Sequence, residues 1–246
     1  MGNLVDSYTP LEVAVLQSVG SFSSTLSLVS VAFTLRRIWL DNKVGTLSLA
    51  TKIVGVLMVM NFGYALGTLV GRAGALDSTY CNFQAFLIQW WALGTQFWTA
   101  VMAWVMYQWM VKKKHPQRLE RLVVRNCSIC VLTSFLVALI VLLVDLNGPT
   151  QTWCWITQSN SDARFYAFFM WAIACWVWCI VIMTIIRTSK AANQKITSGG
   201  ASGGSDYASV ERSIKNKLTM YIAIFVFCWM FTLLARSIEG ELSEFL

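Results

Sequence analysis

Apolar residues in this chain run in long blocks parted by short polar stretches. Six blocks are about 20 residues long, enough at ~1.5 Å per residue to cross a hydrocarbon core of ~30 Å. They run approximately from Val13 to Leu35, Leu49 to Val70, Phe83 to Val111, Cys127 to Val144, Phe165 to Ile186 and Leu218 to Leu234. Lipid offers no partner to backbone N–H and C=O groups, and blocks this long are not the short alternating strands of a barrel, so each is expected to be an α-helix. The expected fold class is all-α, a single polytopic membrane helix bundle over residues 1–246 with a flexible Gly/Ser-rich inner loop at 191–210.

Composition agrees with that reading: 57% of residues are hydrophobic, 13% are charged and the mean hydropathy is +0.59, outside the range of a soluble globular domain. The opening "MGNLVDSYTP" has no basic stretch, and the first apolar block is followed by Arg36 and Arg37 instead of a small-residue cleavage site, so no removable signal peptide is expected. Of the 19 Lys and Arg residues, sixteen fall between blocks one and two, three and four, or five and six. Only Arg72, Arg164 and Arg236 fall on the opposite side. The positive-inside rule then places the amino terminus outside. The net charge of +7 becomes a property of the inner face, suited to anionic membrane lipid or an acidic protein surface, and it gives no reason to expect nucleic-acid binding. The sequon Asn126-Cys127-Ser128 falls inside on this map, so a glycan there would overturn the orientation.

On the same map Cys81, at the mouth of the third block, and Cys154, in "QTWCWITQ", both lie outside, whereas Cys127, Cys130, Cys175, Cys179 and Cys228 fall within or near the blocks. A Cys81–Cys154 disulfide would pin the second outer loop over the third span. Trp153 and Trp155 would then cap the bundle or sit at headgroup depth. The alternative is two free thiols flanked by ordinary interface tryptophans.

The blocks hold essentially no ionisable side chain, which argues against a proton-coupled carrier, a voltage sensor or a cation channel. The only histidine, His115, lies in a basic loop, and no metal-ligand or nucleophile–base cluster can be assembled around it, so neither an enzyme nor a cofactor or metal is expected. What remains is polarity by amide and hydroxyl. Gln89 and Gln96 are seven residues apart on one face of the third span, with Trp98 and Thr99 nearby, a pattern suited to an uncharged ligand pocket or to plain interhelical hydrogen bonds. Trp155 joins them from the loop, and Arg72 and Arg164 at the rim suit an anionic ligand or a lipid headgroup. Gly63, Gly67 and Gly71 form a double small-xxx-small register, either an internal packing seam or a face for a homodimer.

Three stretches carry a resemblance. "CNFQAFLIQWWALGTQFWTAVMAWVMY", "TWCWITQ" and "YIAIFVFCWMFTLLARSIE" resemble the third span, second outer loop and sixth span of the cyclic-AMP-receptor-like class of G-protein-coupled receptors. The resemblance implies a plasma-membrane receptor that responds to an extracellular small-molecule ligand and activates a heterotrimeric G protein. In "KKKHPQRLERLVVRN", Arg118, Arg121 and Arg125 fall at helical spacing beside Leu119 and Leu122, a short basic amphipathic helix that, with Lys112 and Lys113, would contact the G protein or rest on anionic lipid. The family has a seventh span, and this sequence stops at Leu246 directly after the sixth, which reads as a clipped chain. The competing expectations are a six-span channel or carrier, or a truncated, non-signalling receptor isoform.

Overall fold

The computed structural model describes residues 10–43, 48–71, 77–150 and 153–197, and further along Met220, residues 222–224 and Phe227. The elements are α1 (Pro10–Lys43), α2 (Leu49–Leu69), α3 (Ser78–Met110), α4 (Pro116–Leu143), β1 (Asn147–Pro149), β2 (Cys154–Ile156), α5 (Ser161–Arg164) and α6 (Met170–Thr197). A 3₁₀ turn at Gln158–Asn160 leads into α5, and a π turn at Phe165–Phe169 joins α5 to α6. The fold is an all-α membrane bundle carrying one two-stranded hairpin. Among the described residues four stretches are long and apolar enough to cross a membrane: Gln17–Lys43, Leu49–Leu69, Gln117–Leu143 and Ser161–Ser189. The 33 residues of α3 are not among them, because glutamines, threonines and tryptophans hold its hydropathy down. The block at 218–234 lies almost wholly outside the described residues.

Several expected boundaries move. The basic stretch around Arg118, Arg121 and Arg125 is not a separate helix, since it forms the first turns of α4. The span expected from Phe165 to Ile186 starts instead with α5 and the π turn, and α6 continues to Thr197. The inner loop expected at 191–210 therefore begins with helical residues, and 198–210 lie outside the described residues.

Helix ends follow local chemistry. Asp77 Oδ1 accepts from the backbone N–H of Thr79 at 2.7 Å and of Tyr80 at 3.2 Å, which fixes where α3 starts and puts Cys81 in its first turn. Ser48 does the same for α2 through the N–H of Thr51 at 3.2 Å. At the other ends, Lys113 after α3 and Asp145 after α4 adopt the left-handed conformation, with φ of 51° and 53°, and turn the chain out of the helix.

The chain forms two compact units, Met1–Trp98 with Val124–Ile173, and Thr99–Val123 with Ala174–Leu246. In the first, Ile53, Leu57 and Met60 of α2 are buried, as are Ile88, Ala92 and Leu93 of α3. A Cβ on Gly63 would overlap the indole of Trp91, and one on Gly67 would lie 2.9 Å from Ile88. Gly71, with φ +56°, abuts Gln17 of α1. These three glycines make close contacts inside the chain, with α3 and α1, which is the packing-seam alternative of the two expected for them. Ser24 and Thr68 join α1 to α2 by a buried hydroxyl pair at 3.0 Å. Phe135 of α4 meets Phe86 and Trp90 of α3 edge-on at 5.6 and 5.1 Å, while the Trp90 indole donates to the Val131 carbonyl at 3.2 Å. In the second unit Met102, Val105, Met106, Leu119, Cys179, Ile182 and Ile186 are buried, with the Cys179 thiol 3.8 Å from the Thr99 carbonyl. Apolar side chains such as Phe22, Leu26, Leu132 and Ile180 are exposed, as befits helices that meet lipid.

Candidate functional site

The site is built from the start of α3 and the hairpin. Because α3 begins at Ser78, Cys81, Gln84 and Ala85 line one side of its first turns. Cys81 is bonded to Cys154 with the two Cα atoms 5.2 Å apart, and both sulfurs are buried beside Ala85. The expected disulfide is present. It closes a segment of 73 residues.

The hairpin pairs Asn147 with Ile156, Gly148 with Trp155 and Pro149 with Cys154. At Gly148 a Cβ would overlap the Thr157 methyl, so a larger residue there would require the Thr157 side chain to move. Thr150 closes the turn, its N–H donating to the Trp153 carbonyl at 2.9 Å. This strand pair is an element the hydropathy pattern did not show, because three-residue strands are too short to set up an alternation.

Gln84 locks the hairpin to two helices at once. Its Nε2 donates to the carbonyls of Gly67 at 3.0 Å and Gly71 at 2.9 Å, at the end of α2, and its Oε1 accepts from the Cys154 N–H at 3.3 Å. Carbonyls in a last helical turn lack intrahelical donors, so a buried amide is the natural cap. Sequence reasoning passed over Gln84, although its position three residues after Cys81 places both on one side of the helix.

Beneath the hairpin, Trp155 is the hub. Its indole N–H donates to Gln89 Oε1 at 2.7 Å, while Gln89 Nε2 donates to the Ala167 carbonyl in the π turn at 2.8 Å. Phe168 and Phe169 meet the Trp155 ring edge-on at 5.5 and 6.0 Å. Arg164 lies over the same ring with its guanidinium carbon 5.6 Å from the centroid, and its Nε donates to the Ile156 carbonyl at 2.8 Å. Trp155 itself is 8% exposed and Arg164 is half-buried. Three of the expected binding residues, Gln89, Trp155 and Arg164, therefore meet in one cluster.

The others do not join it. Gln96 is buried about two turns further along α3, roughly 10 Å from Gln89 along the axis. Trp98 is spent on packing, its indole N–H bonded to the Ile53 carbonyl at 3.0 Å. Arg72 lies outside the described residues, as does Arg236. Lys112 and Lys113, in the turn between α3 and α4, are exposed, as are Arg118, Arg121 and Arg125 on the first turns of α4.

A multi-pass helical membrane protein whose third helix is covalently tied to a hairpin preceding its next apolar span is the class that fold and site define. The sequence model of the family described as slime mold cyclic AMP receptor matches residues 6–245, and the chain belongs to that family. Cyclic AMP receptor 4 of Dictyostelium discoideum is 23% identical over 225 residues, which is 90% of this chain and 49% of that protein. Cyclic AMP receptors 2 and 1 of the same organism are 26% and 28% identical, over 70% and 65% of this chain and 44% and 39% of their own lengths. The chain thus spans half or less of the curated relatives it matches.

Proposed function

We propose that the protein is a receptor of the plasma membrane, not an enzyme, that senses an extracellular small molecule and activates a heterotrimeric G protein. The amino terminus lies outside on this reading, with the hairpin on the outer face and the exposed cations between α3 and α4 available to the G protein. Membership of the cyclic AMP receptor family supports the receptor role, and the distribution of Lys and Arg supports the orientation.

The observation that carries the proposal is the Trp155–Gln89–Ala167 chain of hydrogen bonds. It joins a residue of the outer loop to α3 and to the π turn that leads into α6. A ligand bound to the hairpin shifts the equilibrium of the bundle only if it is bound differently in two arrangements. A π turn supplies such a pair, because one residue of register separates it from regular α-helix, and π turns recur at functional sites. Arg164 offers a cation to a negatively charged ligand, and the buried Trp155 ring beneath it holds the guanidinium in place. Gln89 already has both ends of its amide bonded, so its role is to position Trp155. The relatives are named for cyclic AMP, a molecule of that description, which makes it the first ligand to try.

The test is nucleotide exchange on a co-expressed heterotrimeric G protein, in cells carrying the chain and exposed to cyclic AMP. Exchange should rise with ligand, and Arg164→Gln should shift the dose response to higher concentration by about tenfold, the effect of one charged contact. Ligand-independent ion or solute flux in reconstituted vesicles, with no exchange, would sink the reading.

A further inference from the structure

At the far end of α2 from the hairpin, a half-open cleft of about 730 Å³ lies between α1, α2 and α4, with Trp91 of α3 in its wall. Its walls are apolar, with Ile38, Val59 and Val131 on the three helices, apart from Asn42 and Lys52. Both polar residues sit at helix ends, Asn42 in the last turn of α1 and Lys52 in the first turn of α2, whereas Met60 lies roughly 12 Å deeper along the α2 axis. The cleft is therefore polar where the helices leave the membrane and apolar inside it.

The surroundings are cationic. Arg36, Arg37 and Lys43 occupy the last two turns of α1, with Lys43 Nζ 3.8 Å from the Trp39 ring centroid. Asp41 is the one acid on that stretch of α1. Four cations against one carboxylate complement an anionic headgroup, and a tryptophan with a lysine at a helix end is the usual furniture of the membrane interface. Gly55 sets one wall back: a Cβ there has its nearest neighbour, Ile38, at 3.7 Å, which is ordinary contact. A larger side chain at 55 would enter the cleft without touching backbone.

We propose that this cleft is a specific site for one anionic phospholipid, with an acyl chain between α1, α2 and α4 and the phosphate held at Lys52 and Asn42. The charge distribution along the sequence makes it an inner-leaflet lipid. The site does not depend on receptor activity, and its test needs no ligand or G protein.

The full chain, purified in detergent and stripped of lipid, is titrated with phosphatidylserine or phosphatidylcholine and weighed intact by native mass spectrometry. One phosphatidylserine should be retained per chain at roughly tenfold lower concentration than phosphatidylcholine, the difference one charge-assisted contact makes. Lys52→Gln should bring the two lipids together. Gly55→Leu and Val59→Trp, which fill the cleft from two points along its α2 wall, should each abolish retention, while Ile180→Trp on the exposed face of α6 should not. Melting curves of the lipid-free variants show which of them fold, and either cleft variant suffices. Equal retention of both lipids in the wild type, retention unchanged by a folded cleft variant, or preferential capture of a sterol or a second copy of the chain would overturn the proposal.

Discussion

Two buried amides carry most of the specificity around the hairpin, and each makes a prediction of its own. Gln84→Leu keeps the volume of the side chain and removes its bonds to the Gly67 and Gly71 carbonyls and the Cys154 N–H. Buried groups left without partners cost about 1–3 kcal/mol each, so this variant should melt several degrees below wild type in detergent. Gln84→Glu should be worse, since a carboxylate oxygen would face two carbonyl oxygens. Gln89→Leu should lower the melting temperature less, because the edge-on contacts of Phe168 and Phe169 still hold the Trp155 ring. A larger change is expected in the fluorescence of Trp155 once its indole N–H loses the Gln89 oxygen. Gln89 was visible in the sequence as a polar residue on a buried face of the third span. Its partners were not, because the Ala167 carbonyl becomes available only through the wide turn at Phe165–Phe169, and a run of aromatic residues gives no sign of that turn. Gln84 was legible only in part: its spacing from Cys81 was plain, but its acceptors exist because α2 stops just there.

Among the elements, α1, α2, α4 and the stretch from α5 into α6 were evident from hydropathy alone, since nothing but a helix satisfies a backbone in lipid. The helix α3 was read from its apolar block like the others, and its burial explains its more polar composition: a helix with Gln84, Gln89, Thr95, Gln96 and Thr99 buried meets side chains and carbonyls where its neighbours meet lipid. Whether the glycines of α2 faced inward or outward was not decided by their spacing, which is the same for a seam and for a dimer interface. The indole of Trp91 decides it. Gly63→Val should therefore abolish folded protein, while Gly20→Ala, with nothing within 4 Å of its new methyl, should be neutral or stabilise α1 by up to about 1 kcal/mol. Yield of monodisperse protein on size exclusion reads both outcomes. The pair also separates a seam from a dimer face, because a glycine that served only an outer interface would tolerate the valine in the monomer.

Across the whole molecule the disulfide and the charge distribution make separate claims. Closing 73 residues of chain is worth up to about 4 kcal/mol in the chain-entropy model, less in a membrane where inserted helices already limit the unfolded ensemble. Cys81→Ser, Cys154→Ser and the double variant should lose stability to the same extent, because each removes the one shared bond. A double variant markedly worse than either single would mean that the thiols act independently. For orientation, a cysteine placed at Ser159, in the exposed turn before α5, should react with an impermeant maleimide on intact cells, whereas one at Lys113 should react only after permeabilisation. The reverse pattern would turn the receptor reading inside out. The hairpin also bears on how the protein is made. Its anchors on α3 and α2 are synthesised before it, and those that come after it, Arg164 and Ala167 among them, end by Phe169. The clasp can thus shut while most of α6 has yet to leave the ribosome, and that helix would insert beside a surface whose shape is already set.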